Sequence, residues 1–305
     1  MPAAALPAMP RILIIGSGSF GQYITENVIR PLGFEIVAVL RSKDFDQIPH
    51  YAAHPELYDL IYIALPYELH NPVLRLFPAS APILCEKPIL GYDTIPTILM
   101  GYHRIYDRHF INAKLDVQRR LASGGKPRIR IVSRDMGEST EDSLEWLYCA
   151  MCHDLHMAAW LLDDVAITGI TLGKTGSDIV VELEGRGCRV TIEYARDSVT
   201  YVQEVVVDNV VYGYDSEVFS ATFEETYRRE FLEFAKQPKP DQSVERLQKK
   251  AADLLIAAAR IMLKQKPELA DIHRKKYTTG VFTTELSKKL LAGDQHIMPF
   301  EPIEQ

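Results

Sequence analysis

A short apolar run followed at once by three closely spaced glycines constrains the fold of this chain more than any other feature. Residues 12–15 read ILII, and residues 16–21 read GSGSFG. Gly16 permits a tight turn, Gly18 lets a phosphate group approach the backbone, and Gly21 lets a helix pack closely on a strand. A helix-compatible stretch follows the third glycine. The pattern predicts the start of a βαβ unit that binds a dinucleotide, with the pyrophosphate at the helix N-terminus.

Three further apolar runs extend this unit along the chain. Residues 34–40, 58–66 and 83–85 are nearly continuous apolar stretches. Such stretches are typical of strands that are buried on both faces of a parallel sheet. We expect a doubly wound α/β fold of the Rossmann type over residues 11–90, preceded by a flexible lead-in over residues 1–10.

The pattern changes after residue 90. Short apolar runs are now separated by turns that contain Gly and Asp, which is typical of antiparallel hairpins with one solvated face. The predicted strands lie near residues 128–132, 167–172, 179–183, 188–194 and 200–207, and the predicted helices near residues 144–162, 222–235 and 243–264. We expect an α+β domain with a large, mostly antiparallel sheet over residues 91–305.

Charge and cysteine content exclude several classes of protein. The net charge of the 305-residue chain is −7, which gives a nucleic-acid partner no support. No uncharged apolar run reaches the length of a membrane-spanning helix, and the first residues lack the basic segment of a signal peptide. The four cysteines are too few for the disulfide framework of a small secreted domain. We therefore expect a cytoplasmic protein with reduced thiols, no membrane or nucleic-acid partner, and a small-molecule substrate.

The residues after the second predicted strand bear on the choice of dinucleotide. Sites that prefer NAD usually have an acidic residue about 20 residues beyond the glycines, which binds the ribose 2′-hydroxyl. This chain has Arg41 there, followed by Ser42 and Lys43. A guanidinium, a hydroxyl and an ammonium suit a 2′-phosphate, because charge-assisted bonds to phosphate are strong. The sequence predicts NADP(H) rather than NAD(H), and the alternative is a solvated loop with two basic residues.

Four short motifs occur in order along the chain. They are the glycine turn, residues 64–66 (ALP) followed by His70, residues 86–88 (EKP), and residues 152–156 (CHDLH) ahead of a WLL triplet. Together they resemble the Gfo/Idh/MocA family, named for glucose-fructose oxidoreductase and inositol dehydrogenase. The resemblance implies an N-terminal Rossmann domain and a C-terminal domain whose open sheet carries the substrate and forms a homodimer or homotetramer.

The resemblance also implies roles for individual residues. Lys87 would polarise a carbonyl oxygen and stabilise the developing alkoxide. His153 would transfer the proton, because the reference pKa of histidine lies near neutral pH. The alternatives are a surface lysine and a hydrogen-bonded core histidine, and for His70 a purely structural role is an equal alternative. The residues expected to contact the cofactor are Gly16, Ser17, Gly18, Ser19, Phe20, Gly21, Arg41, Ser42, Lys43, Leu65, Pro66, His70, Glu86 and Lys87.

The substrate end departs from the family pattern. Family dehydrogenases usually have an aspartate four residues before the catalytic histidine and an acid three residues after it, whereas this chain has Cys149 and His156. The histidine therefore lacks the carboxylate that would orient its ring and raise its basicity. We expect reduction of a carbonyl to be favoured over oxidation of an alcohol. Candidates for the substrate pocket are Tyr67, Tyr102, Tyr148 and His156, with burial in the core as the alternative for Tyr67 and Tyr102.

A second motif overlaps this region. Residues 149–153 read CAMCH, which is the attachment pattern of c-type haem. Cys149, Cys152, His153 and His156 would also line one helical face. Haem attachment requires export, and ligands from a single helix enclose a tetrahedral metal ion poorly. We therefore expect buried thiols beside a pocket rather than a haem or a metal site.

The sequence thus predicts an NADP(H)-dependent oxidoreductase. It would transfer a hydride between the nicotinamide and a carbonyl or hydroxyl carbon of a small polar metabolite, such as a sugar or a cyclitol. An NADPH-dependent imine reductase is the first alternative, since the proton-transfer residues of alcohol oxidation are incomplete. A non-catalytic NADP(H)-binding regulator is the second.

Overall fold

The chain folds around two β-sheets, one of five strands and one of six. The structure is a computed structural model that describes residues 10–89, 98–136, 142–173, 178–198, 200–215 and 219–272. The predicted flexible lead-in lies outside the described residues except for Pro10, and the last part of the predicted second domain lies outside them as well.

The first sheet is parallel throughout. Its strands are β1 (Arg11–Ile15), β2 (Glu35–Leu40), β3 (Leu60–Ile63), β4 (Ile83–Cys85) and β5 (Ile98–Met100). They lie in the order β2-β1-β3-β4-β5. The connections contain α1 (Ser19–Ile24), which continues as a π-helical turn over Thr25–Ile29, α2 (Ile48–Ala53), α3 (His70–Leu74), and 3-10 helices over Ser42–Gln47, Pro55–Leu57 and Tyr67–Leu69. The predicted Rossmann-type sheet is confirmed.

The second sheet is mostly antiparallel, as predicted. Its strands are β6 (Ile129–Met136), β7 (Ala166–Leu172), β8 (Ile179–Gly185), β9 (Cys188–Ser198), β10 (Val202–Val207) and β11 (Val210–Asp215). They lie in the order β11-β10-β6-β9-β8-β7, and β6 pairs with β9 in parallel. The helices are α4 (Arg108–Ala122), α5 (Ser143–Trp146), α6 (Cys152–Leu162), α7 (Phe219–Lys236) and α8 (Gln242–Gln265). A π-helical turn, Leu147–Met151, joins α5 to α6, and a 3-10 helix, His103–Tyr106, precedes α4.

Alternate residues of the first sheet pack into two separate apolar layers, because successive side chains on a strand point to opposite faces. Leu13 belongs to the large core that continues through α6 and α8 to the second sheet. Ile12 and Ile14 belong to a smaller cluster with Tyr227 and Phe231 of α7. A helix from the C-terminal half of the chain therefore covers one face of the parallel sheet.

The parallel sheet extends past the boundary predicted at residue 90. Its last strand, β5, comes from Ile98–Met100, and α7 also packs against it. The two halves of the chain thus share a core, because segments that are distant in sequence complete both faces of the first sheet.

Sequence reasoning missed α4 and β11. Helix α4 begins after Asp107, whose carboxylate accepts the backbone N–H of His109 at 2.7 Å, and it buries Phe110, Ala113 and Val117 at helical spacing. A capping aspartate followed by apolar residues at this spacing is the sequence pattern that predicts a helix. Strand β11 reads VVYGYD, and its glycine interrupts the apolar pattern that marks a strand.

Two features of the surface bear on possible partners. Within the described ranges, no helix has the length and apolarity needed to cross a membrane. The outward face of the second sheet carries charged residues, among them Arg130 and Glu193, which form an ion pair at 2.9 Å. Self-association through this sheet stays a prediction.

Candidate functional site

A cleft with a volume of about 630 Å³ opens at the carboxyl ends of the parallel strands. The residues that follow β1, β2, β3 and β4 line it. Ligands bind at this edge of open α/β sheets. The predicted cofactor residues that line the cleft are Gly16, Ser17, Gly18, Ser19, Phe20, Gly21, Arg41, Ser42, Leu65, Pro66, Glu86 and Lys87. Sequence reasoning missed the remaining lining residues, which are Gln22, Phe45, Ala64 and Leu69.

The glycine turn has the geometry that its pattern predicts. Gly16 has a φ of +100°, and a β-carbon there would collide with the carbonyl oxygen of Ala64. A β-carbon on Gly21 would lie 2.6 Å from the carbonyl oxygen of Gly16. By contrast, a β-carbon on Gly18 would have no atom of the described residues within 4 Å. Close packing therefore requires the first and third glycines, while the second leaves room for a bulky ligand.

Two of the three predicted 2′-phosphate ligands line the cleft. Arg41 and Ser42 do so with exposed side chains, whereas Lys43 is exposed but does not line it. The backbone N–H of Arg41 donates to the carboxylate of Asp44 at 3.2 Å. This bond holds the start of the 3-10 helix directly after β2, because Asp44 lies in its first turn. One end of the cleft is thus lined by the basic side chain of Arg41 and the hydroxyl of Ser42.

His70 has a structural position instead of the predicted contact with the cofactor. It is buried and does not line the cleft. Its Nδ1 lies 2.9 Å from the carbonyl oxygen of Pro88, and its Nε2 lies 2.9 Å from that of Leu65. Burial lowers the pKa of His70 to about 4, and the charge of Lys87 adds to this. The neutral ring therefore donates from one nitrogen. It lies between the segment that follows β3 and the segment that follows β4.

Lys87 connects the cleft to the second half of the chain. Its ammonium donates to the carbonyl oxygen of Cys149 at 2.9 Å, and its side chain is partly buried. Cys149 lies in the π-helical turn Leu147–Met151. Such turns are frequent at functional sites, since they interrupt the regular hydrogen-bond ladder of the α-helix. The bond holds the ammonium in one position at the edge of the cleft.

His153 is buried in the first turn of α6, with 5% of its surface exposed. Its ring packs edge-on against Tyr102 and His103, at centroid distances of 5.8 Å and 4.7 Å. Burial and the positive charges of Lys87 and Arg104 hold the pKa of His153 well below its ordinary value. Burial therefore favours the uncharged ring, which is a poor proton donor. Its role in proton transfer stays a prediction.

None of the four candidates for the substrate pocket lines the described cleft. Tyr102 and His156 are buried and stack face to face at a centroid distance of 3.9 Å. Burial lowers the pKa of His156 to about 3, so this residue does not replace the missing acid. Tyr148 is also buried, and its ring lies 5.3 Å from that of the partly exposed Tyr67. The alternative of core packing therefore describes Tyr102, and His156 packs in the core beside it.

A buried ion pair lies next to His153. Arg104 donates to the carboxylate of Asp154 and, at 3.4 Å, to the hydroxyl of Ser133, which in turn donates to Asp154 at 2.8 Å. Although burial opposes it, the Asp154 carboxylate holds the pKa of Arg104 above its usual range. The triad joins α6, β6 and the 3-10 helix before α4. Sequence reasoning missed it, because its members are far apart in the chain and share no local motif.

Two buried carboxyl groups, those of Glu86 and Glu230, lie within electrostatic range of Lys87. Glu86 accepts the hydroxyl of Tyr62 at 2.9 Å. Glu230 on α7 is 0% exposed, and neither of its carboxyl oxygens has a hydrogen-bond partner among the described residues. Burial raises the pKa of Glu230 well above its ordinary value, and the negative charge of Glu86 adds to this. Burial without a hydrogen-bond partner among the described residues therefore favours the protonated, neutral form of Glu230.

Replacing Glu230 by glutamine is expected to reduce the sensitivity of the protein to alkaline pH. The unfolded chain releases the Glu230 proton at about pH 4.3, whereas the folded protein keeps it to much higher pH. The free energy of unfolding of the wild type therefore falls with rising pH by up to about 1.4 kcal/mol per pH unit. Glu230→Gln lacks this contribution. Urea unfolding should show the free energy of unfolding of Glu230→Gln rising relative to the wild type as the pH increases above about 5.

The matched control is Glu233→Gln on the same helix. The exposed Glu233 carboxylate pairs with Lys236 at 2.6 Å, so this variant should show no such trend. A difference between Glu230→Gln and the wild type that stays constant with pH would mean that Glu230 is ionised in the folded protein.

The cysteines beside the site are buried or partly buried thiols. The four cysteines of the chain form no disulfide. Burial raises the pKa of Cys149 to about 12 and that of Cys152 to about 11, so both carry their proton at neutral pH. In the part of the chain that the structure describes, no group of three or more His, Cys, Asp or Glu residues is arranged to hold a metal ion.

Comparison with known proteins identifies the fold. No protein-family model and no curated protein sequence matches the chain. Several solved structures match over most of its length. A myo-inositol dehydrogenase from Lactobacillus casei, solved in complex with NAD(H) and myo-inositol, superposes with a TM-score of 0.67 at 16% identity and covers 85% of this chain and 96% of its own.

Two further structures agree with this match. A probable dehydrogenase from Thermotoga maritima has a TM-score of 0.64 at 20% identity and covers 84% of this chain and 98% of its own. The WlbA dehydrogenase from Thermus thermophilus, in complex with NAD and UDP-GlcNAcA, has a TM-score of 0.62 at 16% identity. It covers 81% of this chain and 95% of its own. A parallel sheet with a glycine turn, followed by a mostly antiparallel sheet, gives this chain the two-domain fold of the Gfo/Idh/MocA-type dehydrogenases.

Proposed function

We propose that this protein is an NADP(H)-dependent reductase that transfers a hydride to the carbonyl carbon of a small polar metabolite. One observation carries the proposal: a single cleft is lined by the glycine turn, by Arg41 and Ser42, and by Lys87. Arg41 and Ser42 would hold the 2′-phosphate, and the turn would hold the pyrophosphate. Lys87 would lie at the nicotinamide end. This order of groups matches the order of groups in the dinucleotide.

The residues that are present fit such a cofactor. The backbone at Gly18 is open to the cleft, so a pyrophosphate has room to approach. The N–H groups at the start of α1 favour anionic oxygens. Leu65 and Pro66 line the cleft beyond the turn and supply apolar surface. When bound, the nicotinamide supplies the hydride, and the protein must orient the substrate and supply one proton.

Lys87 is the residue to which we assign the proton and the polarisation of the carbonyl. An ammonium has three N–H donors, and the Cys149 carbonyl oxygen accepts one of them at 2.9 Å. The other two can bind a substrate oxygen. As the carbonyl carbon is reduced, negative charge develops on its oxygen, and the ammonium stabilises that charge and then protonates it.

The state of His153 supports reduction as the direction of the reaction. Oxidation of an alcohol requires a base that accepts the hydroxyl proton. The His153 ring is buried, its pKa lies well below the ordinary value, and Cys149 holds the place of the expected acid. His153 is therefore too weak a base to promote oxidation efficiently.

A panel of substrates tests the reaction class. NADPH oxidation should be seen with polar ketones or aldehydes rather than with cyclic imines, since a protonated imine is a cation and would be repelled by the Lys87 ammonium. Preference for cyclic imines would favour the alternative of an imine reductase. Tight binding of NADPH without its oxidation by any member of the panel would favour a non-catalytic regulator.

Exchanging Arg41 for aspartate should reverse the preference for the cofactor. The guanidinium would no longer bind the 2′-phosphate, and the carboxylate would repel it but would accept a bond from the 2′-hydroxyl of NADH. We expect the affinity for NADPH to fall by about 10- to 100-fold, because charge-assisted bonds contribute roughly 1.5–3 kcal/mol. Titration with NADPH and NADH measures both affinities. An unchanged preference for NADPH would contradict the assignment of Arg41.

Lys43→Met is the control for this exchange. Lys43 is also basic and exposed, but it does not line the cleft. The affinity of the Lys43→Met variant for NADPH should stay within about twofold of the wild type, since a lone exposed charge contributes little to binding.

A further inference from the structure

Glu86 places a buried carboxyl group in the wall of the cleft. It directly follows β4, lines the cleft and has 5% of its surface exposed. Its Oε1 accepts the hydroxyl of Tyr62 at 2.9 Å, whereas its Oε2 has no hydrogen-bond partner among the described residues. A buried carboxylate oxygen without a donor is costly and requires an explanation. Its position in the cleft wall makes a bound ligand the natural source of the missing interaction.

The surrounding elements restrict the position of this carboxyl group. Tyr62 lies on β3, and its ring packs edge to face against Phe231 of α7 at a centroid distance of 5.0 Å. A β-carbon on Gly101, which directly follows β5, would lie 3.2 Å from Oε2 of Glu86. The carboxyl group therefore packs against the end of β5, while β3 and α7 support the tyrosine that binds it.

Glu86 and Lys87 are adjacent in the chain but are held in different directions. The Glu86 carboxyl group binds Tyr62 within the parallel sheet. The Lys87 ammonium donates instead to the carbonyl oxygen of Cys149, in the second half of the chain. Both residues line the cleft. The end of β4 thus presents an acidic group and a cation to the same ligand space.

Of the two buried carboxyl groups in this region, Glu86 is the one whose negative charge is supported. Burial raises the pKa of Glu86 and of Glu230. For Glu86, the Lys87 ammonium and the Tyr62 hydroxyl oppose this effect. Glu230 has no hydrogen-bond donor among the described residues, and the charge of Glu86 raises its pKa further. Because two neighbouring carboxyl groups hold their protons unequally, the negative charge of the pair lies on Glu86.

The other titratable groups around Glu86 are uncharged. Burial raises the pKa of the Cys85 thiol and of the Tyr227 hydroxyl well above their ordinary values. Lys87 and Glu86 are therefore the two charges that this end of the cleft offers to a cofactor and a substrate.

We propose that Glu86 is a catalytic residue whose carboxylate contacts the nicotinamide ring and stabilises the positive charge that develops there during hydride transfer. The inference rests on the proposed reductase function and adds a second charged group to its mechanism. Hydride transfer to a carbonyl separates charge, with negative charge on the substrate oxygen and positive charge on the oxidised ring. Lys87 stabilises the negative charge and donates the proton, and Glu86 stabilises the positive charge.

The charge of Glu86 also acts when no substrate is bound. A carboxylate in a buried site attracts the cationic ring of NADP⁺ more strongly than the uncharged ring of NADPH. The ratio of the two dissociation constants therefore reports the charge at Glu86 independently of turnover.

Glu86→Gln tests the inference, because the amide has a similar size and still accepts the Tyr62 hydroxyl but carries no charge. Calorimetric titration of the full chain with NADP⁺ and with NADPH measures both affinities. We expect the affinity for NADP⁺ to fall by about 10-fold or more, and that for NADPH to change by less than about threefold. Stopped-flow oxidation of NADPH, with a carbonyl compound that the wild type reduces, should be about 10- to 100-fold slower in the first turnover.

Three further variants separate charge from structure. Glu86→Asp keeps the charge and should recover part of the affinity for NADP⁺. Tyr62→Phe removes the donor to Glu86 and should shift the ratio of affinities in the same direction as Glu86→Gln but less, which keeps the test open if Glu86→Gln folds poorly. The matched control is Glu230→Gln, which removes the other buried carboxyl group and should change the ratio by less than about threefold, since that group is protonated.

The possible failures are distinguishable. If neither NADP⁺ nor NADPH binds to the wild type, the proposed function itself is contradicted. If both bind and Glu86→Gln weakens them equally or not at all, or if Glu230→Gln alone changes the ratio, the assignment of Glu86 is overturned. A changed ratio without a slower first turnover would show that Glu86 acts only in binding, which overturns its catalytic role.

Discussion

Lys87→Met is expected to lower turnover by about 10²- to 10⁴-fold while the affinity for NADPH changes little. The range is that of a lost general acid or of a lost donor to a developing oxyanion. Methionine is similar in length and apolar, so it fills the space of the lysine stem without supplying a proton. It also removes the bond to the Cys149 carbonyl oxygen. Stopped-flow measurement of NADPH oxidation and fluorescence titration of NADPH separate the two quantities.

The matched control for this variant is Lys126→Met. Lys126 is an exposed lysine of the second half and does not line the cleft, so its substitution should affect neither turnover nor affinity. Full activity of Lys87→Met would contradict the role proposed for Lys87 in the reaction. Loss of NADPH affinity to the same degree as turnover would show that Lys87 acts in binding the cofactor rather than in the reaction.

Arg104→Leu is expected to lower the free energy of unfolding by about 3–5 kcal/mol. Among the described residues, the variant leaves the buried Asp154 carboxylate with the Ser133 hydroxyl as its remaining hydrogen-bond partner, and an uncompensated buried charge is costly. At about 2–4 °C per kcal/mol for a chain of this size, the melting temperature should fall by roughly 10 °C. Calorimetry or circular dichroism at pH 7 measures the loss.

The pH dependence of this loss identifies its cause. Without Arg104, the folded protein would bind a proton at Asp154 well above the usual pKa of an aspartate, so the deficit should shrink as the pH falls toward 4. The double variant Arg104→Leu with Asp154→Leu should recover much of the stability, because no buried charge remains.

A surface ion pair is the control for the Arg104 series. Arg130 pairs with Glu193 at 2.9 Å on the outer face of the second sheet, with half of the arginine side chain exposed. Arg130→Gln should cost less than about 1 kcal/mol. An equally small effect of Arg104→Leu would mean that Asp154 is already neutral in the folded wild type.

Much of the fold follows from local patterns in the sequence. Strand β4 begins and ends at the predicted residues, Ile83–Cys85, and β1 and β2 differ from the predictions by one residue at one end. Strands buried on both faces leave a continuous apolar signal that requires no knowledge of their partners. The glycine turn is equally local, because its steric requirements arise between adjacent segments.

The candidate site was predicted less completely than the fold. Twelve of the cofactor residues named from the sequence line one cleft, but Lys43 and His70 do not. His70 was assigned by its position after the ALP motif, yet both of its ring nitrogens lie against backbone carbonyl oxygens. A motif indicates where a residue lies along the chain, whereas the direction of its side chain depends on packing.

By itself, the sequence determined the fold class. The signals were a glycine turn after a buried strand, Arg41 where an acid would favour NAD, and Lys87 after a further strand. These signals are local, since each depends on a few consecutive residues and on strand periodicity. Only the tertiary structure decided the chemistry around them. It buries His153 against Tyr102 and His103, where burial lowers its pKa, and it directs Lys87 onto the carbonyl oxygen of Cys149. Protonation states and side-chain directions depend on neighbours that are distant in the chain, and burial determines how strongly those neighbours act.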